Sequence, residues 1–158
     1  MDETFAYDSV TVARYIIAYA NKHRYMINMT KLQKLLYIAY GAYMAVKGQR
    51  LTNEHPQAWP YGPVFPTTRN KLIKVDFQNI HTEDKDLFEI SKDQEVNSLM
   101  ALVFDKFGKN TATSLSEWSH KSGSPWSRTT EREGFNWGDR IPDEYIIDYF
   151  NTLIVKKQ

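Results

Sequence analysis

The sequence predicts a mainly α fold: a single compact domain over residues 1–158, with five to six helices, a proline-rich aromatic loop and up to two short strands. Three observations lead there. Apolar residues recur at i, i+3, i+4 and i+7 in several long segments, the signature of helices with one buried face. The chain has 158 residues, 42% hydrophobic and 14% aromatic, which suffices for one core and leaves no space for a second domain of ordinary size. The longest break in the helical pattern, residues 51–68, coincides with four prolines.

The first helix is expected to start at Asp8, a good N-cap residue. Val12, Ala13, Ile16, Ile17 and Ala20 form its stripe. The run Asn21-Lys22-His23-Arg24 closes it with positive charge, which suits the negative end of the helix dipole. Thr30 is expected to cap a second helix over residues 30–47. Leu32, Leu35, Leu36, Ala39, Tyr43 and Val46 lie on one side, and Tyr37, Ile38, Tyr40 and Met44 cover others. A helix apolar on nearly all sides belongs in the middle of a domain. Gly41 would let another backbone approach it closely, and Gly48 stands at the C-cap.

Pro56, Pro60, Pro63 and Pro66 follow. Each pushes the preceding residue out of the α region, so this stretch is read as a stiffened loop with a short strand near Ala58-Trp59. A short helix is expected over 67–74. Residues 77–90 read as irregular, with a second short strand at 87–90. A third long helix over about 93–107 carries Val96, Leu99, Met100, Val103, Phe104 and Phe107, and Gly108 ends it. Asn110 or Thr111 caps a shorter helix bearing Leu115 and Trp118. Residues 121–137 read as loop because of Gly123, Pro125 and Gly134. Pro142 opens a last helix that buries Tyr145, Ile146, Tyr149, Phe150 and Leu153.

The composition excludes several classes. There are no cysteines, hence no disulfide framework, thiol nucleophile or thiolate metal site. The segment MDETFAYDSV has neither the basic nor the apolar region of a leader, and no apolar run approaches the length of a membrane span. A cytoplasmic protein is expected. Net charge is +1, yet residues 1–75 carry ten Lys/Arg against four Asp/Glu, and residues 76–158 carry ten against fifteen. Such a dipolar surface can steer a charged partner, whereas a nucleic-acid binder is usually more basic overall.

Catalytic signatures are missing. His23, His55, His81 and His120 show no metal-ligand spacing, and neither GxGxxG, GxxxxGK[ST] nor GxSxG occurs. No catalytic residue, cofactor or metal is expected. The one enzymatic alternative uses His120 with an acid such as Glu117 or Asp139. A helix-turn-helix is disfavoured, since about seven residues separate the first two helices and the second is too apolar to read bases. The tryptophans Trp59, Trp118, Trp126 and Trp137 all fall near loops or helix ends. They suit either the rim of the core or a partner-binding surface. In Trp59-Pro60-Tyr61-Gly62-Pro63, prolines and glycine make a rigid aromatic loop, serving the core or a partner equally well on physical grounds.

Lys31-Leu32-Gln33-Lys34-Leu35-Leu36-Tyr37, followed by Gly41, Gly48 with Leu51, and Ala58-Trp59-Pro60-Tyr61-Gly62-Pro63-Val64, resembles the N-terminal signature of the Panacea antitoxin family, whose members include SocA-like and phage-associated GepA-like proteins. Leu115-Ser116-Glu117-Trp118-Ser119-His120, with Gly123 and Pro125-Trp126, resembles its later motif. The family often has an aromatic residue where Thr52 stands. The resemblance implies an antitoxin that neutralises a protein toxin encoded nearby by direct binding. One branch instead delivers its toxin to the ClpXP protease. No direct nucleic-acid or membrane contact is implied for this chain. The expected toxin-binding residues are Trp59, Tyr61, Gly62, Pro63, Val64 and Arg69.

Overall fold

The computed structural model describes residues 4–155; residues 1–3, the start of the segment read for a leader, lie outside them. In chain order the elements are β1 (Phe5–Tyr7), α1 (Ser9–Lys22), α2 (Met29–Lys47), β2 (Arg50–Thr52), β3 (Gln57–Trp59), β4 (Gly62–Val64), α3 (Pro66–Leu72), α4 (Phe88–Ser91), α5 (Gln94–Phe107), α6 (Ala112–Ser119), α7 (Pro125–Thr130) and α8 (Asp143–Val155). Helices dominate, as the periodicity predicts.

α2 is the axis of the molecule. It packs against α1, α5, α6, α8, β2 and β4. Leu32, Leu35, Leu36, Ala39 and Tyr40 have no exposed surface. Its only glycine, Gly41, faces the Phe150 ring of α8 so closely that a Cβ there would overlap the ring. Gly48 caps the helix in the left-handed conformation, φ 66°, donating to the Met44 carbonyl. The N-cap differs from expectation. Asn28 is extended and its side chain accepts from the Lys31 amide, whereas Thr30 already lies in the first turn. Only a residue outside the helical φ/ψ range can turn its side chain back onto the first free N–H groups.

α1 does begin at Asp8, whose carboxylate accepts from Val10 N. It ends in a paired wrap: Tyr25 N donates to Ala20 O and Arg24 N to Asn21 O. This geometry places Arg24 at φ 62°, in a position that glycine normally takes. The left-handed backbone costs a non-glycine residue about 1 kcal/mol.

The proline-rich segment forms an antiparallel hairpin in which Trp59 pairs with Gly62 across Pro60-Tyr61. The strand expected near Ala58-Trp59 is β3. Residues 138–141 line its outer edge, with Ala58 N donating to Asp139 O and Gly138 N to Ala58 O. β1 pairs in parallel with β2, bringing Tyr7 beside Thr52, a small sheet that the sequence pattern did not suggest. Thr52 is fully buried and donates to Glu54 O.

Two expectations are corrected. Residues 87–90 are not a strand: a 3-10 turn over Lys85–Leu87 runs into α4. Leu87 and Ile90, three residues apart, are buried while Phe88 is 58% exposed, a spacing that helical rather than strand geometry satisfies. Residues 121–137 are not all loop, because α7 starts there. Ser124 is its N-cap and Pro125 its first residue, so the proline that looked like a breaker is an initiator.

Candidate functional site

Three segments distant in sequence meet beside the first turns of α2. The polar residues of Lys31-Leu32-Gln33-Lys34 interrupt an otherwise apolar helix, and each is buried. Each holds main chain from elsewhere. Lys31 Nζ donates to Gly108 O at 2.5 Å, at the end of α5. Gln33 Oε1 accepts from Phe65 N at 2.7 Å, and Lys34 Nζ donates to Pro63 O at 2.9 Å. The edge of the hairpin would otherwise bury unpaired backbone groups, and α2 satisfies them.

Gly62 lies between Lys34 and Ser119. A Cβ at this position would sit 2.6 Å from Ser119 Oγ and 2.8 Å from Lys34 Cε, and the backbone adopts φ 115°. Ser124 joins α6 to α7, donating to Ser119 O while accepting from Ser127 N. That joint aims Trp126 at the hairpin, where its indole N–H donates to Trp59 O at 2.8 Å. The His120 ring stacks on Trp126, with centroids 3.9 Å apart and planes 25° apart. Trp137 stands 6.1 Å beyond Trp126 and meets Phe135 edge-on at 5.0 Å.

The outcome is an aromatic face on a stiff base. Tyr61 at the hairpin tip is 76% exposed and Trp137 57%. Trp59, Trp126 and Phe135 are half-buried between core and surface. The Arg69 guanidinium lies 6.0 Å from the Trp59 ring centre. Of the residues expected to meet a partner, Trp59, Tyr61 and Arg69 reach the surface, while Gly62, Pro63 and Val64 are buried beneath it. Among the other motif residues, Leu32, Leu35 and Ala58 are in the core, Pro125 is buried and Pro60 is exposed. Tyr37 is buried edge-on to Phe150. Its hydroxyl has no partner among the described residues, and burial keeps it neutral by raising its pKa well above that of a free tyrosine. Phe135 leaves no local signal in the sequence, because its role depends on where the 131–137 turn lands.

Burial lowers the pKa of the Lys34 ammonium from 10.5 to about 8. The folded state therefore holds this proton less tightly than the unfolded chain. The cost is fully present below pH 8 and is relieved as pH rises towards 10.5, a change of about 3 kcal/mol. Above about pH 10 the buried tyrosines, whose pKa values burial raises, act in the opposite sense. Unfolding free energy is expected to climb between pH 8 and pH 10 in urea titrations. Lys34→Met should flatten that climb; an unchanged slope would show that another group is responsible.

Burial, and then the charge of Lys34, lower the pKa of His120, which is neutral at pH 7. No carboxylate bonds it among the described residues. Asp139 instead accepts from Asn136 N and pairs with Arg132, and Glu117 is exposed. The acid–base pair considered from sequence is not assembled here. A second polar cluster is structural. Asp143 accepts from Tyr40 at 2.7 Å and from Arg140 at 3.3 Å, with His55 3.8 Å away, tying α8 to α2 and to the loop before β3. Burial alone would raise the Asp143 pKa, but the nearby His55, the hydrogen bond from Tyr40 and the charge of Arg140 hold it below the ordinary value.

Among the described residues, no three His, Asp or Glu side chains gather as a metal site, and no helix is long and apolar enough to cross a membrane. A family model, described as antitoxin SocA-like, Panacea domain, matches residues 32–127. That span covers the hairpin, the α6–α7 joint and α2 from Leu32 onward, and leaves out Lys31, Phe135 and Trp137. Antitoxin SocA of Caulobacter vibrioides (strain NA1000 / CB15N) is 31% identical over an alignment covering 90% of this chain and 82% of that protein. No solved structure matches.

Proposed function

The chain belongs to the SocA-like Panacea antitoxin family, and from that premise we propose that it neutralises a protein toxin in the cytoplasm by direct binding through the aromatic face, as one such domain over residues 1–158. The observation that carries this reading is the pairing of exposure with rigidity. Tyr61 and Trp137 are exposed aromatic rings, yet the main chain beneath the hairpin is held by Lys34, Gln33 and Trp126. Large aromatics dominate binding energy at protein interfaces, and a preordered loop loses little entropy on docking. Arg69 beside Trp59 adds a cation suited to the same surface.

The test is co-expression with the protein encoded by the adjacent gene. Growth arrest by that protein alone, relieved by this chain, together with co-purification of the two, is the expected result. A neighbour that is harmless alone, or a lack of rescue, would refute the proposal. The toxin's half-life is expected to be unchanged when ClpXP is absent; a half-life that this chain shortens only when ClpXP is present would mean delivery to the protease rather than occlusion.

A further inference from the structure

A cleft of about 580 Å³ opens where the end of α1 meets the joint between α5 and α6. Its charged lining is entirely basic, from Arg24, Lys31 and Lys109, and its lip is apolar, with Met26 86% exposed. Arg24 and Lys109 are exposed, and among the described residues neither has an ion-pair partner. Lys31 uses its ammonium on one carbonyl, Gly108 O. The starts of α2 and α6 and the ends of α1 and α5 all border the cleft, so the helix dipoles offset one another and its positive potential comes from the basic side chains.

Arg24 makes the cleft more than a chance cluster of charge. Its left-handed backbone is a glycine conformation. The paired wrap that closes α1 holds this conformation, yet an arginine here is less stable than a glycine would be, and its side chain has no hydrogen bond or ion pair among the described residues. A backbone outlier bearing an unpartnered charge, pointed at a cavity, is the pattern of a residue kept for binding. The cleft is also tied to the aromatic face. α6 runs from Thr111 and Ala112 at the cleft to Ser119 and His120 beneath that face, about 12 Å at 1.5 Å per residue. Lys31 and Lys34 lie one turn apart on α2, one at each place.

We propose that this cleft receives an acidic peptide segment of the protein partner, carboxylates on the exposed Arg24 and Lys109 and an apolar side chain against Met26 and Tyr25. This deepens, and rests on, the reading of the chain as a protein-binding antitoxin. An acidic peptide fits better than a nucleic acid, because the basic residues form one compact pocket with an apolar lip rather than a track along a backbone, and the second half of the chain is net acidic.

The probe is a capped peptide of Glu-Glu-Leu repeats, titrated into the isotopically labelled full chain and followed by amide NMR shifts. Saturable shifts confined to residues 23–31 and 108–112 are expected, together with none from the matching Gln-Gln-Leu peptide. Arg24→Gly is expected to raise the melting temperature while weakening peptide binding roughly tenfold, opposite signs that a purely structural residue would not give. Lys109→Glu, an exposed change, should weaken binding without altering the melt. Shifts that do not saturate, that appear elsewhere, or that survive both substitutions would overturn the proposal, as would tighter binding of inorganic phosphate or of a short single-stranded oligonucleotide. If the peptide binds as expected but no co-encoded protein is neutralised, it is the antitoxin reading that fails.

Discussion

Replacing Tyr61 and Trp137 together by alanine is expected to abolish toxin neutralisation while leaving the protein folded. Both rings are mostly exposed, so their removal vacates little core. Substitutions of that kind usually change stability by less than about 1 kcal/mol. Central aromatic anchors at an interface, by contrast, are worth 2 kcal/mol or more each when truncated, so the pair should weaken binding by about two to three orders of magnitude. Calorimetric titration against the co-purified toxin measures the loss, and thermal melting of the free variant checks the fold. A variant that melts normally and still binds within about threefold would remove the aromatic face from the interface. A variant that fails to fold would place both rings in the core, contrary to their exposure.

Gly62→Ala tests the base on which that face stands. The added methyl would lie 2.6 Å from Ser119 Oγ and 2.8 Å from Lys34 Cε, and the residue would have to hold φ 115°. An unfavourable backbone costs about 1–3 kcal/mol and overpacking a similar amount, so the loss should reach about 3–5 kcal/mol. For a chain of this length that lowers the melting temperature by about 10 °C. The displaced Lys34 should also loosen its bond to Pro63 O, and binding should weaken along with stability. A loss below about 1 kcal/mol would show that the α2, α6 and β4 junction yields easily, and the claim of a rigid base would fall with it. Together the two substitutions separate surface from support: one should lose affinity without stability, the other both.

The fold was largely legible because its signals are local. The stripe from Leu32 to Tyr43 identified α2 and its central place. Gly48 marked its end, Asp8 marked one helix start and the pair Asn110-Thr111 another, where the structure selects Thr111, since a cap is a bond between near neighbours. The misread segments were those in which one residue type has two local meanings. Pro125 can break a helix or begin one, and only Ser124 before it tips the balance. Leu87 to Ile90 fits a short strand or a helical turn, and burial against α1 decides between them.

The site was legible only as separate motifs. Nothing in the sequence says that Trp126 donates to the carbonyl of Trp59, 67 residues away, or that residues 138–141 flank β3. The roles of Lys31, Gln33 and Lys34 were equally hidden. They look like polar interruptions of an apolar helix, and only the positions of the hairpin, for Gln33 and Lys34, and of the end of α5, for Lys31, turn them into buried partners of main chain from elsewhere. Arg24 passed as one more basic residue at a helix end until its φ placed it where glycine belongs.

Hydroxyl-radical footprinting of the free chain and of its complex with the co-encoded toxin tests the central claim most directly. Tyr61, Trp137 and Trp59 should react in the free protein in that order, the order of their exposure, and become protected together in the complex, while exposed Phe88, outside this face, reacts equally in both. Protection elsewhere, with Tyr61 and Trp137 as reactive in the complex as in the free chain, would contradict the aromatic face as the toxin-binding surface.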